Sequence, residues 1–222
     1  RNATGKSSLA YALYFFSKSA RLGIDNALNA LYDSIEKAIR IENGKLCYPL
    51  EILIDGIYLR IYHNVKNEIR ESPWKSEFLL PSTRLAFLQI LTISKEDINK
   101  KIDELPFPRH AKIFLSIILH KQLPIIRGTE YKSVAQFSLF DLMSDITIVD
   151  DLTDLELSPD DAPDGQTDDT LMGLVLQYSP EKSLIVIEEP EIYKNPLFQF
   201  EMMDKISKLA LDKNLTIVMT TR

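Results

Sequence analysis

Residues 183–221 constrain the fold more than any other part of the chain. The segment SLIVIEEPE (183–191) is an apolar run ending in acids, NPLFQFEMMDKISKLALDK (195–213) has helical length, and LTIVMTT (215–221) is a second apolar run. Strand, helix and strand with such short joins form a parallel crossover unit, since two parallel neighbours cannot be linked by a tight turn. Apolar runs without alternation read as strands buried on both faces. In the helix, Met202, Ile206 and Leu209 share one stripe with Met203 and Ala210 alongside, which reads as the face that covers the sheet. Asn195 and Pro196 read as its N-cap and first helical residue. The expected fold class is α/β.

The first strand ends at a chemically useful place. Leu184–Ile187 would carry Glu188 and Glu189 to the C-terminal edge of the sheet, where open α/β sheets gather ligands. Successive strand residues point to opposite sides, so the two carboxylates take different roles. Glu188 is assigned to a Mg2+ shell, through water, and Glu189 to positioning or deprotonating an attacking water. The other half of such a site opens the chain. In RNATGKSSLA (1–10), Gly5, Lys6 and Ser7 are the last three positions of the pattern G-x-x-x-x-G-K-[ST], whose first glycine would fall one residue before Arg1. Leu9, Ala12, Leu13 and Phe16 recur at helical spacing, so the motif sits at a helix N-terminus. There the backbone N–H groups of residues 2–7 would meet phosphate oxygens, Lys6 would reach the outer phosphates, and the Ser7 hydroxyl would bind Mg2+. ATP with Mg2+ is the ligand pair that this chemistry suits.

Between these ends the signals are weaker. A helix is expected from Asp25, its N-cap, to Ile39, with Gly44 as a stop. YPLEILIDGIYLRIYH (48–63) reads as a hairpin turning at Asp55-Gly56, with Ile57, Leu59 and Ile61 alternating with polar or aromatic neighbours. From 64 to 145 the strand signal fades, and helices are expected near 83–92, 95–104, 107–122 and 134–144, broken at Pro81, Pro106, Pro108 and Pro124. The acidic, turn-rich segment 150–169 precedes a helix containing TLMGLVLQ.

The order GKSS, then APDGQ (162–166), then LIVIEEPE followed by Asn195-Pro196, then TIVMTT, resembles the ABC-class P-loop ATPases of the SMC and OLD type. It is most similar to the prokaryotic group whose Walker B strand reads IEEPE. Asn2–Leu9 is similar to the N-x-x-G-K-S-S-L form of Walker A, and FLLPSTRLAFLQI (78–90) resembles the family's P-x-x-R segment. The likeness is sharpest over 1–20 and 160–222. It implies a P-loop NTPase core of ABC-ATPase type, with a mixed sheet, a small antiparallel element and an inserted helical subdomain. As one domain over 1–222, it would comprise a Walker A lobe (1–63), a helical insertion (64–145) and a signature-like loop with the Walker B lobe (146–222), both termini being cut through motifs.

The resemblance also implies a phosphate-binding loop of Asn2, Ala3, Thr4, Gly5, Lys6, Ser7 and Ser8. In an ATP-dependent homodimer, Asp164, Gly165 and Gln166 of one head would cap nucleotide on the other. A nuclease subunit or domain, and indirect association with DNA, would be the customers. Some positions depart from the pattern. Pro163 stands where the signature has serine, and Asp161, Asp164, Asp168 and Asp169 bring negative charge to that helix start. Arg222 takes the place of the switch histidine, offering a fixed cation and no proton shuttle. Lys194 and Asn195 stand where Leu and His are common, and Gln89 and Gln136 are both candidates for the glutamine-bearing loop. An ATP-binding interaction module with little hydrolysis therefore stands beside the hydrolase as an alternative.

Composition narrows the remaining classes. With 45% hydrophobic and 26% charged residues the 222-residue chain has globular composition. A net charge of -6 argues against an all-over nucleic-acid-binding surface. The single cysteine, Cys47, forms no internal disulfide and fits a reducing, cytoplasmic setting as a small core residue. IFLSIILHKQLPII (113–126) is too short and too interrupted to cross a bilayer, and no basic-then-apolar leader opens the chain. His63, His110 and His120 lack metal spacing. The acidic segment 150–169 argues against a small phosphotransferase, which needs a basic lid.

Overall fold

The computed structural model describes residues 6–22, 41–42, 45–46, 50–54, 57–62, 65–66, 72–88, 97, 104, 114–115, 117–119, 122–126, 134–138, 143, 146–149 and 154–221. In chain order the first elements are α1 (Lys6–Leu22), β1 (Ile41–Glu42), β2 (Lys45–Leu46), β3 (Leu50–Ile54), β4 (Ile57–Tyr62), β5 (Val65–Lys66) and β6 (Ser76–Leu80). A 3-10 turn (Arg84–Phe87), β7 (Gln122–Ile126), β8 (Val134–Ser138), β9 (Ile148–Val149) and β10 (Glu156–Leu157) follow. The chain closes with α2 (Asp164–Tyr178), β11 (Ser183–Glu188), α3 (Pro196–Lys213) and β12 (Thr216–Thr220). Two compact units form: residues 1–80, 181–190 and 214–222 make the first, and 81–180 with 191–213 the second.

The first unit is built on a parallel sheet in the order β12-β11-β6, with Ile185 opposite Ile217 on one side and Phe78 on the other. Every residue of β11 is buried, as expected of an apolar run without alternation. α1 packs against all three strands. Its buried face is not centred on the stripe read from spacing: Leu9 is 63% exposed, while Ala10, Tyr11, Tyr14, Phe15 and Phe16 are buried. The two tyrosines can face inward because each hydroxyl has a partner, Tyr11 donating to Glu188 and Tyr14 accepting from Lys18. Phe16 also meets Trp74 edge-on, with ring centroids 6.2 Å apart. Beside this sheet in the unit lies the antiparallel set β3-β4-β5, with Ile54 opposite Ile57 where the hairpin was expected.

β6 corrects the expectation that strands fade after residue 64. Its sequence, SEFLL, hides the strand because Glu77 interrupts a short apolar run, yet Glu77 is buried. Arg21 Nη2 lies 2.5 Å from its Oε1 and Ser17 Oγ donates to its Oε2 at 3.2 Å, so the charge enters the sheet with its partners.

The second unit also differs from an all-helical insertion. β7 and β8 pair antiparallel, Leu123 opposite Phe137, so 134–138 is strand where a helix was expected. Phe114, Leu115, Ile117, Ile118 and Leu119 are buried, consistent with the helix read there. β9 and β10 pair antiparallel at the edge of the acidic segment. α2 buries Leu171, Met172, Leu174, Val175 and Leu176 and packs against α3, which buries Met202 and Ile206. The expected helix 25–39, the Asp55-Gly56 turn, Cys47, the three histidines and Gln89 lie outside the described residues.

Candidate functional site

β11 carries Glu188 to its last position, where the residue is 6% exposed and pairs in register with Thr220. A buried carboxylate needs a donor, and the Tyr11 hydroxyl supplies one at 3.1 Å. Burial, the charge of Glu188 and this hydrogen bond together hold the Tyr11 hydroxyl far above its ordinary pKa, so it remains a donor. Tyr11 stands one turn after Ser7 in α1. The acid at the strand end is thereby fastened to the helical row that Ser7 begins, in the second turn of a helix opening with Lys6.

Glu189 leaves the strand abruptly. Its φ of 47° lies in the left-handed region, which costs a residue with a Cβ about 1–2 kcal/mol. The N–H of Glu189 donates to the carbonyl of Thr220 at 2.6 Å, extending the β11–β12 ladder one step past the strand and holding that turn. The neighbouring acids therefore differ in setting: Glu188 belongs to the sheet, and Glu189 to the bend that follows. Asn2, Ala3, Thr4, Gly5 and Arg222 lie outside the described residues, and the described part of Lys6, Ser7 and Ser8 is their place in α1.

In the second unit, Asp164, Gly165 and Gln166 form the first turn of α2, with Asp164 exposed. Pro163 holds the N-cap position without a side-chain cap, and its carbonyl accepts from the N–H groups of Gln166 and Thr167 at 2.9 and 3.1 Å. One turn on, Asp168 is fully buried. It accepts from Arg84 Nε, from Arg84 Nη2 at 2.9 Å and from Lys194 Nζ, while Lys194 also lies 3.3 Å from Asp169. Asp168, read from sequence as a repulsive charge, is thus neutralised by two buried cations. Burial raises the Asp169 carboxyl above its ordinary value, with Lys194 pulling it back. Asp161 accepts from Ser158 Oγ at 2.8 Å.

This cluster and Tyr11 are what reading by residue type misses. Arg84 belongs to the P-x-x-R segment, and Lys194 to the loop before α3, but neither position announces Asp168 as its partner. Asn195 behaves as read: its Oδ1 accepts from the N–H groups of Leu197 and Phe198 at 3.0 and 3.1 Å.

Gly165 has a steric reason. A Cβ there would stand 2.8 Å from the carbonyl oxygen of Tyr193, itself at φ 69°, whereas a Cβ at Gly173 in the same helix meets nothing within 4 Å. Gly165→Ala is expected to destabilise by about 1–3 kcal/mol through overpacking. Gly173→Ala is expected to stabilise by about 0.5–1 kcal/mol through helix propensity. Urea midpoints of opposite sign relative to wild type would check both.

Among the described residues no group of three or more His, Cys, Asp and Glu is arranged to hold a metal ion, and no helix is long and apolar enough to cross a membrane. A hard oxygen such as Glu188 suits Mg2+ bound mainly by water and phosphate, which needs few protein ligands. No family model, curated protein or solved structure matches the chain.

Proposed function

We propose that the chain is an ABC-type P-loop ATPase head that binds ATP with Mg2+, hydrolyses it, and closes on a second copy as it does so. The observation that carries this reading is the Tyr11–Glu188 hydrogen bond, which ties the acid ending the central parallel strand to the helix that opens with Lys6 and Ser7. Lys6 and the amides of residues 2–7 would stabilise charge on the phosphates, Ser7 and Glu188 would hold the metal, and Glu189 would aim the water. Bound Mg2+ would screen the phosphate oxygens. Arg222 would add a fixed positive charge, and Asp164, Gly165 and Gln166 would approach nucleotide held by the other copy. Such a reaction fits the cytoplasm, in service of a nuclease or a DNA-handling complex.

A second reading, an ATP-binding module with little turnover, draws on Pro163 and Arg222: proline brings neither a hydroxyl nor an N–H donor to the start of α2, and arginine shuttles no proton. Both readings require binding. Isothermal titration of the full-length protein with ATP and Mg2+ should show it, and Lys6→Ala should weaken it by about 10- to 150-fold, the value of a charge-assisted contact. Folded wild-type protein that takes up no ATP would defeat both readings.

A further inference from the structure

α3 carries a second apolar face. Besides the buried Met202 and Ile206, it leaves Leu197, Phe200 and Leu211 at 69, 78 and 82% exposure. These residues are not scattered. Leu197, Phe200, Asp204, Ser207 and Leu211 recur at alternating steps of three and four, the spacing of the seam in a two-helix coiled coil. At 18 residues, about 27 Å long, α3 presents two full heptads of it.

We infer that this seam pairs antiparallel with the same seam of a second copy, about a two-fold axis passing midway between Lys205 and Ile206. The polar positions decide both occupant and direction. A parallel pair would set Asp204 against its own counterpart, two like charges in one layer. An antiparallel pair instead sets Phe200 against Leu211 at both ends, and Asp204 against Ser207, a carboxylate against a hydroxyl donor, in the two central layers. On the flank, Glu201 of one copy comes beside Lys208 of the other, and on the opposite flank Met203 comes beside Ala210. Asp204 and Lys208 are exposed and now pair within one helix at 2.6 Å, and Ser207 Oγ donates to the Met203 carbonyl at 2.7 Å, so all three are placed to exchange partners. From Phe200 to Leu211 each seam position finds its complement within the same helix, as an isologous interface requires, while Leu197 lies beyond the paired stretch. Opposite flanking charges fix the pairing direction.

The interface needs no nucleotide, so it is tested on Lys6→Ala protein without ATP, where phosphate-driven association is silent. Sedimentation equilibrium should show a reversible dimer, with Phe200→Glu weakening it by about 30-fold or more, as for loss of a large aromatic anchor. Glu201→Lys should also weaken it, and Glu201→Lys with Lys208→Glu should restore it. In a Cys47→Ser background, Glu201→Cys and Lys208→Cys proteins should form a disulfide-linked dimer when mixed and oxidised, and neither should do so alone. A monomer at every concentration, or cross-linking of Glu201→Cys with itself, would overturn the pairing. Neither result depends on whether the chain hydrolyses ATP.

Discussion

An Asp168→Ala protein is expected to lose about 3–5 kcal/mol of folding stability, the cost of leaving buried charge uncompensated. Asp168 and Arg84 are fully buried, and the Lys194 side chain is 1% exposed. The carboxylate receives two N–H donors from Arg84 in a forked contact and a third from Lys194. Arg84 Nη1 also donates to the Pro81 carbonyl at 3.2 Å, anchoring the turn that follows β6. Deleting the carboxylate strands two cations in a site that water does not reach, so the penalty is desolvation without compensation. The loss should appear as a lower urea midpoint by far-UV circular dichroism. Replacing the whole cluster, with Arg84→Met, Asp168→Leu and Lys194→Met together, should recover most of it, since apolar residues of similar volume need no partners. A loss below about 1 kcal/mol for Asp168→Ala would mean that the cluster is open to solvent, as is ordinary for surface pairs.

The same cluster shows where the sequence stops being legible. The unbroken apolar run Leu184–Ile187 identifies β11, which is buried along its whole length, whereas β12, read in the same way as doubly buried, is a strand at the sheet edge with Thr216 exposed and the rest half-buried. Asn195-Pro196 identifies the start of α3, because capping is local chemistry. Charges and hydroxyls that fold inward are harder to read. Glu77 conceals β6, Tyr11 and Tyr14 turn the buried face of α1 away from Leu9, and Asp168 reads as repulsion until Arg84 and Lys194 are seen beside it. For Glu77, Tyr11 and Asp168 the partners lie far along the chain, beyond any spacing rule. The outer face of α3 is hard to read for a related reason: Met202 and Ile206 already explain the helix's periodicity as one buried stripe, and the exposed Leu197, Phe200 and Leu211 add nothing to that pattern.

Glu189→Gln should lower ATP turnover by about 10²- to 10⁴-fold, the range of a lost general base, while leaving ATP affinity within a few-fold of wild type. The bend supports this separation of effects. Glu189 holds φ 47° against the preference of its own side chain, and its N–H is fixed to Thr220 at 2.6 Å, so glutamine inherits the same backbone. What changes is basicity: an amide of the same shape cannot accept a proton from water. Glu188 has a different part, since it ends the ladder, is buried, and takes the Tyr11 hydroxyl; Glu188→Gln should weaken the Mg2+ dependence of binding as well as turnover. The two variants are compared by single-turnover kinetics across a Mg2+ series and by mass in solution with ATP. With hydrolysis blocked and binding intact, Glu189→Gln in a Phe200→Glu background, where pairing through α3 is weakened, should accumulate an ATP-dependent dimer that Phe200→Glu protein alone does not accumulate. Unchanged turnover in Glu189→Gln would remove this residue from the chemistry, and loss of ATP binding in the same variant would assign it to holding the nucleotide.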